Sequence, residues 1–343
     1  MIQYHKPNIN IGCEDLQKIK EILCSGWVSI GKYVGEVEDY FRKTYSVKHA
    51  IACSSATQGL IIAIKSAGWR NKNIAVQSFT WPSTIYAIEA NIGNKPIFCD
   101  IDRNTFNIDL HTIDSDAYDT VIAVDVFGNE ANVETNKPII YDAAHGFGNK
   151  NLGHRGLAEI VSFSFTKVAT AMEGGIILTQ SDEIAEISYE LRRLSARMLE
   201  INAYILLKSI SRYKENYEKK VNIASLYKEM LTIDYFSQKC FVEPNLSVFP
   251  IVFRESSVRN AVVKSLEENK IEYKIYYQPL VEGLPVTDWL FDHILCLPIY
   301  PDLKEEDVKD ICCIINSSSK HIHVGHNYLR GSKYIESFLR VER

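Results

Sequence analysis

The 343-residue chain lacks several features that mark particular classes of protein. No apolar run reaches the ~18 residues that a membrane helix needs, and residues 1–7 contain no apolar core of the signal-peptide kind. The eight cysteines are scattered, without a CxxC pair or a disulfide framework. With a net charge of −5, there is no basic footprint for nucleic acid either. These absences predict a cytoplasmic protein with reduced thiols that binds neither membrane nor nucleic acid.

What is present is an ordinary folded composition, with 46% hydrophobic and 24% charged residues. The length exceeds that of one ordinary domain and suits a large domain followed by a smaller one. We predict the boundary where the pattern of the sequence changes, near residue 185. The predicted domains are therefore 1–185 and 186–343.

Between about residues 30 and 179, helix-like segments alternate with short apolar runs. Such continuous runs are typical of strands that helices cover on both faces, so this block predicts a mostly parallel α/β sheet. Helices are predicted over Val34–Phe41, Thr57–Ala67 and Ser83–Ala90. Strands are predicted at His49–Cys53, Ile74–Val76, Pro96–Cys99, Thr120–Val124, Pro138–Tyr141, Ile160–Phe165 and Gly175–Leu178.

Beyond about Asp182 the sequence becomes more charged and helical, which predicts a smaller C-terminal α+β domain. The stretch 183–220 is predicted to be one long helical region. Strands are predicted at Ser247–Phe253 and Lys274–Tyr277, and helices at Val258–Asn269 and Leu303–Ile315. The polar tail after Asn316 receives no structural prediction.

Two predicted strands of the first block each deliver one chemically useful residue. Pro138–Tyr141 leads into Asp142, and the strand that contains Ser162 leads to Lys167, ahead of Glu173-Gly174-Gly175. Ligands in open α/β sheets bind beyond the carboxyl ends of strands. A lysine that forms a Schiff base and an aspartate that keeps a ring nitrogen protonated are what pyridoxal phosphate requires. The plainer alternatives are a solvated lysine and a helix-capping aspartate.

Other residues around these strands suit the same cofactor, and each also has a plainer interpretation. The small residues from Ser54 to Thr57 join a strand to a helix, whose N-terminus binds phosphate readily or is simply capped. Ser162 offers a further hydroxyl. Trp81 is suited either to stack on a flat ring or to pack in the core. His145 is suited either to contact the ring or to form a loop hydrogen bond.

Three other patterns are set aside. Gly26–Lys32 has the spacing of a phosphate-binding G-x4-G-K loop, but Tyr33 replaces the required hydroxyl residue and no strand precedes it. The pair Asp100 and Asp102 is more typical of a turn at a strand end than of a metal site. The histidines at positions 321, 323 and 326 have no accompanying carboxylate or cysteine framework.

In order and spacing, several segments resemble landmarks of the DegT/DnrJ/StrS family of sugar-nucleotide aminotransferases, which have the aspartate aminotransferase fold (fold type I). The resemblance runs from about Pro7 to Glu200 and, more loosely, to about Leu303. The segments that carry it are Ser25–Gly31, Ser78–Thr84, Lys95–Asp102, Val126–Gly128, Asp142–His145, Ser162–Lys167 and Arg197–Ala203.

The resemblance implies a role for each candidate residue. Lys167 would form the Schiff base, and Asp142 would pair with the pyridine nitrogen. Trp81 would stack on the ring, and His145 would lie near it. The phosphate would be held by Ala56, Thr57 and Ser162.

The implied reaction is a ping-pong transamination in a homodimer. An amino acid, usually glutamate, would load the cofactor, which would then aminate a nucleotide-linked keto sugar. The 4-keto-6-deoxyhexose is favoured over a 3-keto isomer, and the product would serve surface polysaccharides such as O-antigen or a glycosylated metabolite. The alternatives are a fold type I enzyme with a non-sugar substrate, and a catalytically weak member that acts as a binding partner.

The chain departs from the family pattern in two places. Ser164 stands where many relatives carry a ring, and the segment from Arg193 to Arg197 is shorter than usual, with Ser195 in place of an expected asparagine. In the family that loop commonly helps to complete the partner subunit's site. The departures therefore bear on substrate binding more than on cofactor binding.

Overall fold

A computed structural model describes residues 1–7, 9–240 and 243–318. Its larger sheet has seven strands in the order β1-β7-β6-β5-β4-β2-β3. β7 runs antiparallel to β1 and β6, and the other neighbours are parallel, so six strands share one direction. The predicted mostly parallel sheet is confirmed. Its strands are β1 (His49–Cys53), β2 (Asn73–Gln77), β3 (Lys95–Cys99), β4 (Thr120–Val124), β5 (Ile139–Asp142), β6 (Ala158–Ser162) and β7 (Gly175–Thr179).

Helices cover both faces of this sheet, which explains why its strands are largely apolar. On one face lie α3 (Ala56–Ser66), α4 (Pro82–Glu89) and α5 (Asp182–Ser195). On the other lie α2 (Lys32–Tyr45) and α6 (Glu200–Ser211). Successive residues of one strand serve opposite faces: Ile160 packs with the α3 side and Val161 with the α2 side. α1 (Cys13–Cys24) precedes these elements.

A second, antiparallel sheet follows later in the chain, in the order β10-β9-β8. Its strands are β8 (Tyr235–Phe236), β9 (Phe249–Phe253) and β10 (Ile294–Leu297). The accompanying helices are α7 (Tyr213–Met230), α8 (Ser256–Glu268), α9 (Pro285–His293) and α10 (Glu305–Ser318). The core between them includes Tyr227, Phe253, Leu266 and Ile311. The division at residue 185 stays a prediction.

Tertiary contacts change two of the predicted elements. β6 ends at Ser162 rather than Phe165, and residues 163–174 form a loop closed by a hydrogen bond from the Phe163 N–H to the Gly174 carbonyl at 2.8 Å. The helical region 183–220 consists of α5, α6 and the start of α7. α5 stops at Ser195 because Arg197 pairs with Cys53 as a β-bridge.

The predicted strand Lys274–Tyr277 is wrong as a strand. Only Lys274 pairs, in a single bridge with Cys296. The sequence interpretation also missed α1, α9, β8 and β10.

Within the described ranges no helix is long and apolar enough to cross a membrane. The same residues contain no group of three His, Cys, Asp or Glu that could hold a metal ion. The histidines at 321, 323 and 326, like the tail beyond residue 318, lie outside the described residues.

Candidate active site

The carboxyl ends of the parallel strands bring the predicted residues to one edge of the large sheet. β5 ends at Asp142, and the neighbouring β6 ends at Ser162, five residues before Lys167. β1 ends at Cys53, directly before the turn into α3. The sheet order therefore places the lysine loop between the aspartate strand and the α3 turn.

The amino group of Lys167 lies 2.7 Å from Nε2 of His145. On the other side of the ring, Nδ1 lies 2.8 Å from Oγ of Ser247, whose hydroxyl donates to the Phe127 carbonyl at 3.2 Å. Because that hydroxyl has one proton, Ser247 accepts from Nδ1–H, which leaves Nε2 as an acceptor. We therefore assign a neutral His145 that accepts a hydrogen bond from Lys167.

Burial sets the charge states of this pair. It lowers the pKa of His145 well below its ordinary value, and the charge of Lys167 lowers it further. Burial also lowers the pKa of Lys167, to about 8, against the opposing charges of Asp142 and Glu173. A substantial share of neutral amine near physiological pH is what a nucleophilic lysine requires.

Asp142 is buried and hydrogen-bonded through both carboxylate oxygens. Oδ2 accepts from the Thr84 hydroxyl at 2.7 Å, and Oδ1 accepts from the Ala144 N–H at 3.2 Å. Burial raises the pKa of Asp142, whereas these hydrogen bonds and the charge of Lys167 lower it. The two bonds therefore favour the ionised carboxylate in an apolar setting.

The N-terminus of α3 lies beside the same edge. Ser55 caps it, accepting from the Gln58 N–H at 3.2 Å, while Ala56 and Thr57 occupy its first turn, where N–H groups have no intrahelical acceptor. Gly175 packs against this turn so closely that a Cβ there would lie 2.5 Å from the Ala56 nitrogen. Gly175, on β7, pairs with both Cys53 on β1 and Ser162 on β6. Only β7 therefore separates Ser162 from the strand that leads into the α3 turn. Amides, a helix N-terminus and a hydroxyl make a suitable phosphate site.

Trp81 is the N-cap residue of α4 and is 47% exposed, so it is not a core residue. The same helix carries Thr84, the partner of Asp142, in its first turn. Trp81 therefore begins the helix that stabilises the aspartate, three residues before Thr84.

An open cleft lies beside Lys167. It is lined by the N-terminal segment at His5, by α7 at Asn216 and Lys220, and by Asn245 and Ser247 in the connection before β9. The Asn245 side chain donates to the backbone carbonyls of His145 and Phe147, which ties this connection to the site.

Sequence reasoning missed Thr84, Ser247 and Lys220. Thr84 ends the segment Ser78–Thr84, which also contains Trp81, so the sequence does carry a signal for it. Ser247 is 102 residues from His145, and nothing local marks it or Lys220.

Comparison with known proteins decides the family. The model of the DegT/DnrJ/EryC1/StrS aminotransferase family matches residues 10–316. The chain belongs to this family. It is a pyridoxal phosphate-dependent aminotransferase of fold type I.

Solved structures share the fold of this aminotransferase. DesI, crystallised in the presence of its TDP-sugar product, has a TM-score of 0.82 and 23% identity, covering 92% of each chain. A DegT DnrJ EryC1 StrS aminotransferase from Brucella abortus has a TM-score of 0.79 and 24% identity, covering 91% of this chain and 99% of its own. The sugar aminotransferase CalS13 from Micromonospora echinospora has a TM-score of 0.81 and 19% identity, covering 92% and 99%.

Proposed function

We propose that this enzyme transfers an amino group from an amino acid, glutamate by preference, to a nucleotide-linked keto-deoxyhexose. The observation that carries the proposal is the partly buried Lys167 amino group, which lies 2.7 Å from neutral His145 and follows the strand next to that of Asp142. This arrangement provides a nucleophilic amine and a carboxylate at the same sheet edge.

The residues present suit pyridoxal phosphate. We assign the cofactor aldehyde to Lys167 and the ring nitrogen to Asp142. Trp81 would stack on the ring, and His145 would lie near it. The phosphate is assigned to Ala56, Thr57 and Ser162. The absence of a Cβ at Gly175 allows the phosphate turn its close approach to β7.

When bound, the cofactor supplies an electron sink for the carbon that loses or gains the amino group. The protein supplies proton transfer and orientation. Lys167, once released, carries the proton at the reacting carbon, which its lowered pKa suits. Ser247 fixes the His145 ring, so that Nε2 faces the lysine.

The sugar acceptor is supported by the family and by the TDP-sugar product that accompanies DesI, a protein of the same fold. Within that class we propose a 4-keto sugar ahead of a 3-keto isomer. The product is assigned to surface polysaccharides such as O-antigen or to a glycosylated metabolite, made in the cytoplasm.

We also propose a homodimer. Large apolar side chains stay exposed on this single chain, including Trp27 at 65% and Phe165 at 52%. Phe165 is two residues from Lys167, and its carbonyl lies 2.8 Å from the His5 ring nitrogen. A second copy that covers this surface would seal the site from water. Sedimentation should give a dimer, and a stable monomer with full activity would contradict it.

A panel of half-reactions tests the function. The protein loaded with pyridoxal phosphate should be yellow, and glutamate should remove the visible band. Keto-sugar nucleotides should then restore it, with 4-keto compounds acting faster than 3-keto ones. Lys167→Ala should abolish the covalent attachment, read by borohydride reduction and peptide mass. If simple keto acids restore the band while no sugar nucleotide does, the sugar assignment is wrong.

One observation favours a second candidate, a non-sugar acceptor. Only residues 196–199 separate α5 from α6, and Arg197 and Leu199 are held in β-bridges to Cys53 and Ser29. This short connection leaves little chain for contacts with a large substrate. In the half-reaction panel, a return of the visible band with simple keto acids but not with sugar nucleotides would support this candidate. A protein that cannot be loaded with pyridoxal phosphate would instead favour a role as a binding partner.

A further inference from the structure

Two polar side chains on α7 are buried without a partner in the described part of the chain. Asn216 is 8% exposed, and its Nδ2 group has no hydrogen-bond acceptor among the described residues. Lys220 is 5% exposed, and no residue that the structure describes forms a hydrogen bond or ion pair with its amino group, whose pKa is shifted by burial alone. The residues are four apart on one helix and therefore share a face.

Both side chains line the cleft beside Lys167. Among the described residues, no aspartate or glutamate contributes to that lining, and the Lys220 ammonium lacks a counter-charge there. Its positive charge instead adds to that of Lys167 in opposing protonation of His5 and His145. The cleft thus concentrates positive charge and unused N–H donors.

A purely structural role does not account for this arrangement. Burying an ammonium and an amide N–H without acceptors costs stability. An ionised oxygen ligand would remove that cost, because one amide donor and one ammonium four residues apart can each bind one carboxylate oxygen.

We propose that Asn216 and Lys220 together bind a carboxylate of the amino-acid donor in the cleft beside Lys167. The inference rests on the proposed transamination and identifies the residues that recognise its first substrate. In that reaction the pair acts on binding and orientation, while proton transfer stays with Lys167.

Binding should be linked to protons. Burial lowers the pKa of Lys220 to about 7, and a bound carboxylate would raise it again, so binding near pH 8 should take up protons. The other titratable groups of the cleft are His5, Lys6, Lys167, Tyr213, Tyr217 and Tyr300. They remain in a Lys220 variant, so the difference from wild type isolates Lys220.

The test measures calorimetric binding of glutarate, an unreactive dicarboxylate with the carbon chain of glutamate, to the loaded enzyme. Lys220→Met and Asn216→Leu should each weaken binding, by roughly 10- to 100-fold for the lysine, because a charge-assisted hydrogen bond is lost. Lys220→Arg should restore part of the affinity. Lys219→Met is the matched control, since Lys219 is on the same helix but exposed and paired with Glu215.

Two further readouts exclude misfolding as the cause. The melting temperature of Lys220→Met should equal or exceed that of wild type, because an unpaired buried charge is removed. The affinities of wild type and Lys220→Met should converge above about pH 9, where a lysine with a lowered pKa is neutral. Proton uptake should disappear in the variant.

A nucleoside diphosphate serves as the second probe. Unchanged glutarate binding in Lys220→Met would overturn the proposal, and so would a loss of nucleoside diphosphate binding without a loss of glutarate binding. These outcomes do not depend on the sugar panel. If no keto-sugar nucleotide reacts, the proposed sugar acceptor is wrong. The carboxylate site is still tested independently by the binding of glutarate.

Discussion

Replacing Thr84 by valine should weaken cofactor binding through Asp142, although Thr84 itself is assigned no contact with the cofactor. Valine keeps the shape of threonine but cannot donate the 2.7 Å hydrogen bond to Oδ2. Burial already raises the pKa of Asp142, and the Thr84 bond is the largest opposing influence. The variant should therefore raise that pKa further and reduce the ionised fraction available to a ring nitrogen.

A hydrogen bond to a charged group contributes about 1.5–3 kcal/mol. We therefore expect the Kd for pyridoxal phosphate to rise by roughly 10- to 150-fold, since ~1.4 kcal/mol corresponds to a factor of ten. The sign of the pH dependence follows from the carboxylate. Asp142 is protonated more readily in the variant, so the loss should be largest at the acid end and shrink as the pH rises.

The assay is a titration of the apo-protein with pyridoxal phosphate, read by absorbance at a series of pH values. Thr80→Val is the control, because the Thr80 hydroxyl lies 3.2 Å from that of Thr84 and has no hydrogen bond to Asp142. Equal affinities for wild type and Thr84→Val across the pH range would refute the reasoning. A loss that grows towards alkaline pH would refute it as well.

Three further substitutions test the framework around the site. Gly175→Ala should weaken phosphate binding without unfolding the sheet, because a Cβ would lie 2.5 Å from the first backbone nitrogen of α3; inorganic phosphate competition measures this. Glu200→Gln should lower the free energy of unfolding by about 1–3 kcal/mol in urea, since this buried carboxylate accepts from three N–H groups at the start of α2. Arg155→Met should cost about 3–5 kcal/mol in the same assay, because it leaves the buried carboxylates of Asp125 and Glu159 without their shared partner.

The sequence was informative about this site wherever the chemistry is local. Asp142 and Lys167 each follow a buried strand, and an apolar run followed by a polar residue is visible without any tertiary information. The order of the strands in the sheet, which makes β5 and β6 neighbours, decides whether the two residues meet. Alternating helices and strands predict a parallel sheet but do not specify that order.

The supporting contacts were not predictable, because they join distant segments. Thr84 reaches Asp142 across 58 residues and Ser247 reaches His145 across 102. The predicted boundaries of helices were wrong for a related reason. A helical pattern continues through Ser195, yet pairing between Arg197 and Cys53 ends the helix there, so a tertiary contact overrode local propensity. The strand missed at 294–297 is an edge strand of the three-stranded sheet, and its four residues give too short a pattern to read.

The charge state of Lys167 connects the fold to the reaction and can be measured before any substrate is known. With a pKa of about 8, about one molecule in ten has a neutral amine at pH 7, against roughly one in 2,500 for an ordinary lysine. The rate at which apo-protein captures pyridoxal phosphate should therefore rise through pH 8 and level off above it. Glu173 raises this pKa by its negative charge, so Glu173→Gln should move the midpoint to lower pH. A midpoint near that of free lysine, or one that moves upward in Glu173→Gln, would show that burial does not control this amine.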